Sequence, residues 1–418
     1  MTDIKASLIT IGDELLIGQV IDTNSAWIAR QLNGIGIPVV KRIAVGDVKE
    51  DIKAALDEEL KHSRLVILTG GLGPTADDIT KPFLYEYFNC RSVVNDEVLA
   101  HVKELFTRRN RPIQAVNLRQ AEVPEGCTVL FNRVGTAPGM WLEKDGAVVI
   151  SLPGVPFEMM GIMEQEVLPR VKALFSGNTI LHRTIITAGE GESIVAERIK
   201  DIEESLPAAI RLAYLPSPGI VRLRLSTMGT DEAELTRSVQ AAESKLVERL
   251  ENIVVATEDI PMQHIVGKVL VSRNATVGFA ESCTGGYLGH LLTQVPGSGT
   301  YFKGSLVTYS NRVKMSLLGV SPEVLAAETA ISEKVATKMA TEALRILDVD
   351  YAVSVTGILS PGGEESEDNP VGTVWMAVAG KEEVKTKRFR FHYDRAVNKE
   401  MAAQMALLML WKFLNGKL

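Results

Sequence analysis

Cysteine is scarce in this chain. Its three cysteines, Cys90, Cys127 and Cys283, stand far apart and form no Cys-x-x-Cys pair. That excludes a disulfide scaffold and a cysteine zinc site, and it suits a reducing, cytoplasmic compartment. Long apolar runs are missing too. No uncharged stretch reaches the ~18 residues a membrane span needs, and "MTDIKASLITIGDELL" lacks the apolar core of a signal peptide. The apolar tail "MAAQMALLMLWKFL" therefore reads as a core helix. Basic charge is not in excess: 45 Lys and Arg face 52 Asp and Glu, a net charge of −7. The overall field thus favours neither direct nucleic-acid binding nor an anionic membrane surface.

The rest of the composition is ordinary for a globular protein, with 46% hydrophobic and 23% charged residues. A length of 418 residues predicts two or three domains. Residues 1–172 alternate apolar runs ("ASLITIG", "IPVVKRIAV", "SRLVILTGG", "GAVVISLPG") with helical stretches over 22–33 and 51–62. Fully apolar strands between helices predict a doubly wound α/β domain with a parallel sheet. Over 173–256 the pattern changes. "GIVRLRLSTMG" alternates apolar and charged residues, while "SIVAERIKDIEE" and "DEAELTRSVQAAESKLVERLE" are amphipathic, which predicts a small α+β module. From 257 to 418 the alternation returns with "ATVGFAE", "GSLVTYS", "YAVSVTG", "VGTVWMAVAG" and "EVKTKRFRF", closed by a helix from 396. The fold class is therefore α/β, two doubly wound domains joined by an α+β module. The acidic "GGEESEDNP" of 362–370 reads as a mobile loop.

Three amino-terminal segments end strands with unusual residues. "ITIGDELLIG" places Asp13 and Glu14 after an apolar run. "LTGGLGPTADDIT" supplies Gly70, Gly71, Gly73, Thr75, Asp77 and Asp78, and "SLPGVPFEM" ends on Glu158. Ligands of open parallel sheets bind beyond the carboxyl ends of the strands, so these loops are expected to line one crevice. Glycines let backbone amides approach a phosphate. The segment is not a P-loop, because it lacks Gly-Lys-Ser/Thr and carries two aspartates. Carboxylates beside a phosphate make sense with a divalent metal between them. The plainer reading is that Asp77 and Asp78 merely charge the first turn of a helix.

In the carboxyl-terminal domain, "AESCTGGYLGHLL" reads as strand, tight turn and helix. Ser282, Cys283 and Thr284 sit at the junction, and Gly285 and Gly286 open the helix, whose amides would suit a phosphate or an oxyanion. A serine nucleophile needs a base. His290 and His392 have no carboxylate partner legible in the sequence, so a Ser-His-Asp triad is poorly supported. In "GSLVTYSNRVKMSLLGV" a strand ends at Tyr309, Asn311 is placed as helix cap, and Lys314 falls in the first helical turn. There the helix dipole and partial burial disfavour the ammonium form, so Lys314 can serve as a general base. An ordinary solvated lysine is the alternative. "SVTGILSPGGEE" adds Thr356, Gly357 and Gly362 or Gly363 as donors, and Arg395 would clamp a phosphate or pair with Asp394.

The motifs "IGDELLIGQVIDTNS", "TGGLGPTADDITK", "VGTAPGM" and "LPGVPFEM" resemble the molybdopterin-binding-like domain of the CinA (competence/damage-inducible) family. The resemblance implies metal-dependent hydrolysis (Mg, Mn or Co) of ADP-ribose to AMP and ribose 5-phosphate. It makes Asp13, Glu14, Asn24, Asp77, Asp78, Lys81 and Glu158 site candidates, with Asp13, Glu14, Asp78 and Glu158 as metal ligands. Ala76 stands where many relatives carry a polar residue. "AESCTGG", "FKGSLVTYSNRVK", "SVTGILSPGG" and "PVGTVW" resemble the nicotinamide mononucleotide (NMN) amidohydrolase domain of the same family. That implies deamidation of NMN without a cofactor, by Ser282 and Lys314, with Tyr309 nearby and Arg395 on the phosphate. The chain departs from the family pattern at Leu359, Ser360 and Tyr393, which would change pocket size and loop freedom. The middle module resembles a KH-like fold that would space the domains or make a homodimer. It has no Gly-x-x-Gly clamp flanked by basic residues for RNA. Two other readings stay open: a molybdopterin-binding or adenylyl-transferring module with a regulatory tail, and a non-enzymatic partner in DNA uptake or repair.

Overall fold

The structure is a computed structural model that describes residues 4–418 apart from Ala76, Ser176, Gly363 and Glu364. Gly363 and Ala76 therefore lie outside the described residues. The chain packs as two compact units, 1–181 with 226–238, and 182–225 with 239–418. No helix among the described residues is long and apolar enough to cross a membrane.

In the first unit the apolar runs become β1 (Ala6–Ile11), β2 (Val39–Val45), β3 (Leu65–Thr69) and, later, β8 (Ala147–Leu152). A short ribbon, β4 (Ser92–Val94) and β5 (Glu122–Pro124), and the strands β6 (Thr128–Leu130) and β7 (Gly139–Lys144) lie between them in sequence. The sheet order is β2-β1-β3-β8-β7-β6. Neighbours pair in parallel from β2 to β8 and antiparallel at the β8-β7-β6 edge. β1, β3 and β8 are buried along their whole length, as strands covered by helices on both faces must be. Every residue on them is shielded, and the charged residues come only where the chain leaves the sheet. The antiparallel edge was not legible in advance, because β6 has only three residues.

The middle sheet has the order β10-β11-β9-β12, formed by β9 (Thr179–Ala188), β10 (Arg211–Ser217), β11 (Ile220–Gly229) and β12 (Val254–Ala256). β11 alternates buried and half-buried residues along most of its length, as its charge pattern requires. Ile186, Ala188 and Ile220 share a core cluster with Ala402, Ala406 and Leu407 of the terminal helix Arg395–Leu414. The apolar tail is thus a core helix, as expected.

The last sheet comprises β13 (Val277–Glu281), β14 (Phe302–Val307), β15 (Tyr351–Gly357), β16 (Thr373–Ala379) and β17 (Val384–Arg390) in the order β14-β13-β15-β16-β17. β13 pairs in parallel with β14 and β15, while β16 and β17 run antiparallel. The carboxyl ends of β13, β14 and β15 therefore open on the same edge.

One glycine fixes the amino-terminal crevice. Gly70, just past β3, has φ +121°, and a β-carbon there would come within 2.2 Å of the Ile11 carbonyl oxygen. The backbones leaving β1 and β3 are thus closer than any side chain permits. Gly70→Ala should lower stability by at least about 1–3 kcal/mol, read as a lower urea midpoint.

Candidate functional site

The carboxyl-terminal site begins with a buried acid. Glu281 ends β13 fully shielded from water. Its carboxylate accepts from the backbone amides of Gly286 (2.9 Å), Leu288 (3.0 Å) and Gly289 (3.0 Å), and from Ser305 Oγ (2.7 Å). It therefore caps the helix Tyr287–Thr293 and ties it to β14. This corrects one expectation. The Gly286 amide is spent on Glu281, and the Gly285 amide donates to the Ser282 carbonyl at 3.0 Å, so neither is offered to a ligand. Thr284, 2% exposed, does not line the pocket, and neither do the two glycines. Gly286 serves the turn instead, at φ +97°. Glu281 went unnoticed in the sequence. Its signal was an acid placed five residues before helical amides.

The turn held by Glu281 presents Ser282. Lys314 Nζ lies 2.9 Å from Ser282 Oγ and donates to the carbonyls of Thr308 (2.9 Å) and Tyr309 (3.2 Å). Lys314 is 1% exposed, among the largest fully buried side chains of the chain, which excludes the solvated-lysine alternative. The cap of its helix, Asn311–Leu318, is Ser310 rather than Asn311: the Ser310 hydroxyl accepts from the Val313 amide. Asn311 occupies the first helical position and lines the pocket. Cys283 is buried beside Ser282, and burial pushes its thiol up to about 12, so it stays protonated near neutral pH.

A pocket of about 320 Å³ opens over this pair, lined also by Tyr309, Thr356, Gly357, Leu359, Gly362 and Arg395. Arg395 donates to Ser360 Oγ (3.0 Å) and Tyr309 Oη (2.9 Å). Asp394 does not pair with it through any contact seen here; its carboxylate accepts from the amides of Ala396 and Val397. Ser360 thus gains a use: it holds the arginine. Leu359 is buried in the core, and its carbonyl accepts from Asn398. Tyr393 is exposed and outside the pocket. Thr356 Oγ1 donates to the Ala330 carbonyl at 2.7 Å. Neither His290 nor His392 lines the pocket.

In the first unit a cleft of about 370 Å³ lies at the carboxyl ends of the strands. Gly70, Gly71, Gly73, Glu14, Asp77, Asp78 and Glu158 line it. Asp47, just past β2, joins them and was missed, because the "AVGDV" stretch carries no more than a common acid after a strand. Asp13 is outside the lining; it accepts from the Asp47 amide, and its own amide donates to Asp47. Asn24 is also outside, buried, donating to Thr69 Oγ1 (3.3 Å) and the Gly154 carbonyl (2.7 Å). It stitches the strand ends together. Asp77 and Asp78 precede the helix Thr80–Tyr87 rather than charge its first turn. Asp78 accepts from the amides of Gly73 (2.7 Å) and Thr75 (2.9 Å) and so shapes the glycine loop. Thr75 and Lys81 face a separate chamber.

A divalent cation requires several oxygens converging at ~2.0–2.6 Å. Among the described residues no three His, Cys, Asp or Glu side chains do so. Glu158 also accepts from Asn132 Nδ2 at 2.7 Å. The carboxylates as placed do not form a metal shell.

Burial, reinforced by the like charges of Asp13, Glu14 and Asp77, pushes the Asp47 carboxyl above its ordinary range, against the Asp13 amide it accepts. A carboxyl raised on folding opposes stability once it ionises, at pH above its folded value. Asp47→Asn should therefore unfold at a higher temperature than the parent at pH 8. The two should converge below about pH 4, where the carboxyl is protonated in both states. Equal melting at pH 8 would remove the like-charge reading.

Three family models match the chain: a probable molybdopterin binding domain over 7–173, the damage-inducible protein CinA KH domain over 182–256, and the CinA C-terminal domain over 259–414. A CinA-like protein of Flavobacterium psychrophilum is 44% identical, over 98% of each chain. A putative competence-damage inducible protein of Caldicellulosiruptor bescii is 41% identical over 97% of this chain and 98% of its own. A crystal structure of a CinA protein from Thermoplasma acidophilum, 35% identical, covers 38% of this chain and 94% of its own, with a TM-score of 0.36. Near-complete coverage at this identity, across all three segments, places the chain in the CinA family.

Proposed function

We propose that the carboxyl-terminal pocket is an amidohydrolase site that converts NMN to nicotinate mononucleotide and ammonia. The carrying observation is the 2.9 Å approach of Lys314 Nζ to Ser282 Oγ, with two backbone carbonyls on the same nitrogen. A neutral amine has two N–H groups and one lone pair. In the neutral form that this mechanism requires, the Thr308 and Tyr309 carbonyls accept N–H groups and the lone pair can face the Ser282 hydroxyl. Ser282 Oγ attacks the carboxamide carbon as its proton passes to Lys314. The protonated lysine then gives that proton to the departing nitrogen, and ammonia leaves an acyl-serine. Water, deprotonated by the same amine, attacks the ester, and Ser282 regains its proton as the nicotinate carboxyl departs. Arg395, held by Ser360 and Tyr309, would take the substrate phosphate bidentately.

Ammonia release from NMN should fall by about 10²–10⁴-fold in Lys314→Met, and at least as far in Ser282→Ala. Cys283→Ala should retain it. A dead Cys283→Ala with an active Ser282→Ala would sink the mechanism.

For the amino-terminal cleft we propose hydrolysis of the ADP-ribose pyrophosphate to AMP and ribose 5-phosphate. Glycine amides and five carboxylates on one strand-end cleft support this reading. Asp77→Ala should abolish AMP formation while leaving ammonia release from NMN intact. Magnesium, manganese and cobalt arms of the same assay decide whether substrate recruits a cation. Molybdopterin binding without AMP formation would favour a binding module instead.

A further inference from the structure

Behind the glycine loop lies a second chamber of about 250 Å³. Gly73, Pro74 and Asp78 line both it and the front cleft, so one loop separates the two spaces. Lys81 is 8% exposed on its wall. An ammonium has three N–H donors, yet its one acceptor among the described residues is the Gln120 carbonyl, at 2.7 Å. Burial lowers this amine to about 8, against the pull of Glu122 and Asp78. A buried amine with unused donors in an open chamber is poised for an acceptor from outside.

The charge of the walls decides what that acceptor belongs to. Two cationic groups, Lys81 and Arg119, face two carboxylates, Asp78 and Glu122, and Arg119 Nε lies 3.6 Å from Glu122 Oε1. The sum is neutral, which favours an uncharged ligand over a phosphate. Thr75 and Gln120 add uncharged polar groups, and the remaining side chains are mostly apolar: Pro74, Ile79, Pro82, Tyr85 and Val116. The volume falls below the ~300–1,000 Å³ of pockets for drug-sized ligands, so the chamber suits one ring system rather than a whole dinucleotide.

We infer that this chamber is a nucleobase subsite, in which an uncharged heteroaromatic ring packs between Ile79, Pro82 and Val116 and accepts a hydrogen bond from Lys81. The inference rests on the pyrophosphate reading of the front cleft and deepens it. The glycine loop would hold the phosphates on one side, and the base end of the same nucleotide would lie on the other. Lys81 then selects for the base, and has no part in the bond cleavage.

Calorimetric titration of the full chain with adenosine and, separately, ribose 5-phosphate tests this. Adenosine affinity should drop at least tenfold in Lys81→Met and in Val116→Trp, which fills the chamber from its half-buried wall. Ribose 5-phosphate affinity should be unchanged in both, which also shows that the variants fold. For ADP-ribose, KM should rise with kcat nearly constant. Adenosine affinity unmoved in both variants, or no adenosine binding by the parent, overturns the subsite, even if AMP is formed. Lys81-dependent adenosine binding by a parent that forms no AMP overturns the pyrophosphatase reading alone.

Discussion

A carboxylate with no exposure to water sets the geometry of the carboxyl-terminal half. Glu281 accepts three amides at the start of one helix and a serine hydroxyl of β14 at once, so it joins two elements to the end of β13. Together they hold the turn that displays Ser282 on the strand-end edge of the sheet. A buried carboxylate is costly unless such donors surround it, so the turn and its cap are stable only together. The helix amides, which would otherwise be a ready anion site, are consumed by the fold. The pocket over Ser282 is lined instead by the loop after β15 and by Arg395.

The amino-terminal half meets the same constraint with different residues. Parallel strands are sealed on both faces, and the chain must reverse sharply where they end. Asn24 ties Thr69 to the Gly154 carbonyl, and Asp78 gathers the Gly73 and Thr75 amides. Polar side chains that motif reading assigns to ligands are therefore partly spent on shaping loops. The pull between these uses explains why only some candidates reach the cleft. Asp13, Asn24, Thr75 and Lys81 support its walls or face elsewhere, while Glu14, Asp77, Asp78 and Glu158 line it.

The family's name comes from competence and damage induction, while both strand-end clefts are lined by polar and charged side chains. Each is lined by side chains that belong to one compact unit. The glycine amides and acids of the front and the serine, lysine and arginine of the back are different chemical solutions. Each rests on one sheet.

The sequence alone determined the fold class and singled out Ser282 and Lys314, which the structure brings within 2.9 Å of each other. Alternating apolar strands and amphipathic helices dictate doubly wound sheets, because only helices can cover strands that are apolar on both faces. Ser282 and Lys314 were legible because each follows a strand end, where such folds expose side chains. Contacts across sequence were not legible. Glu281 as a cap, Ser310 in place of Asn311, Asp47 joining the acids and Lys81 turning away all depend on which backbone groups meet after the sheets close. Hydrogen-bond partners 24 or 32 residues apart, as for Glu281 with Ser305 and Lys314 with Ser282, are set by strand order and register. Local periodicity carries no record of either, so tertiary structure decided them.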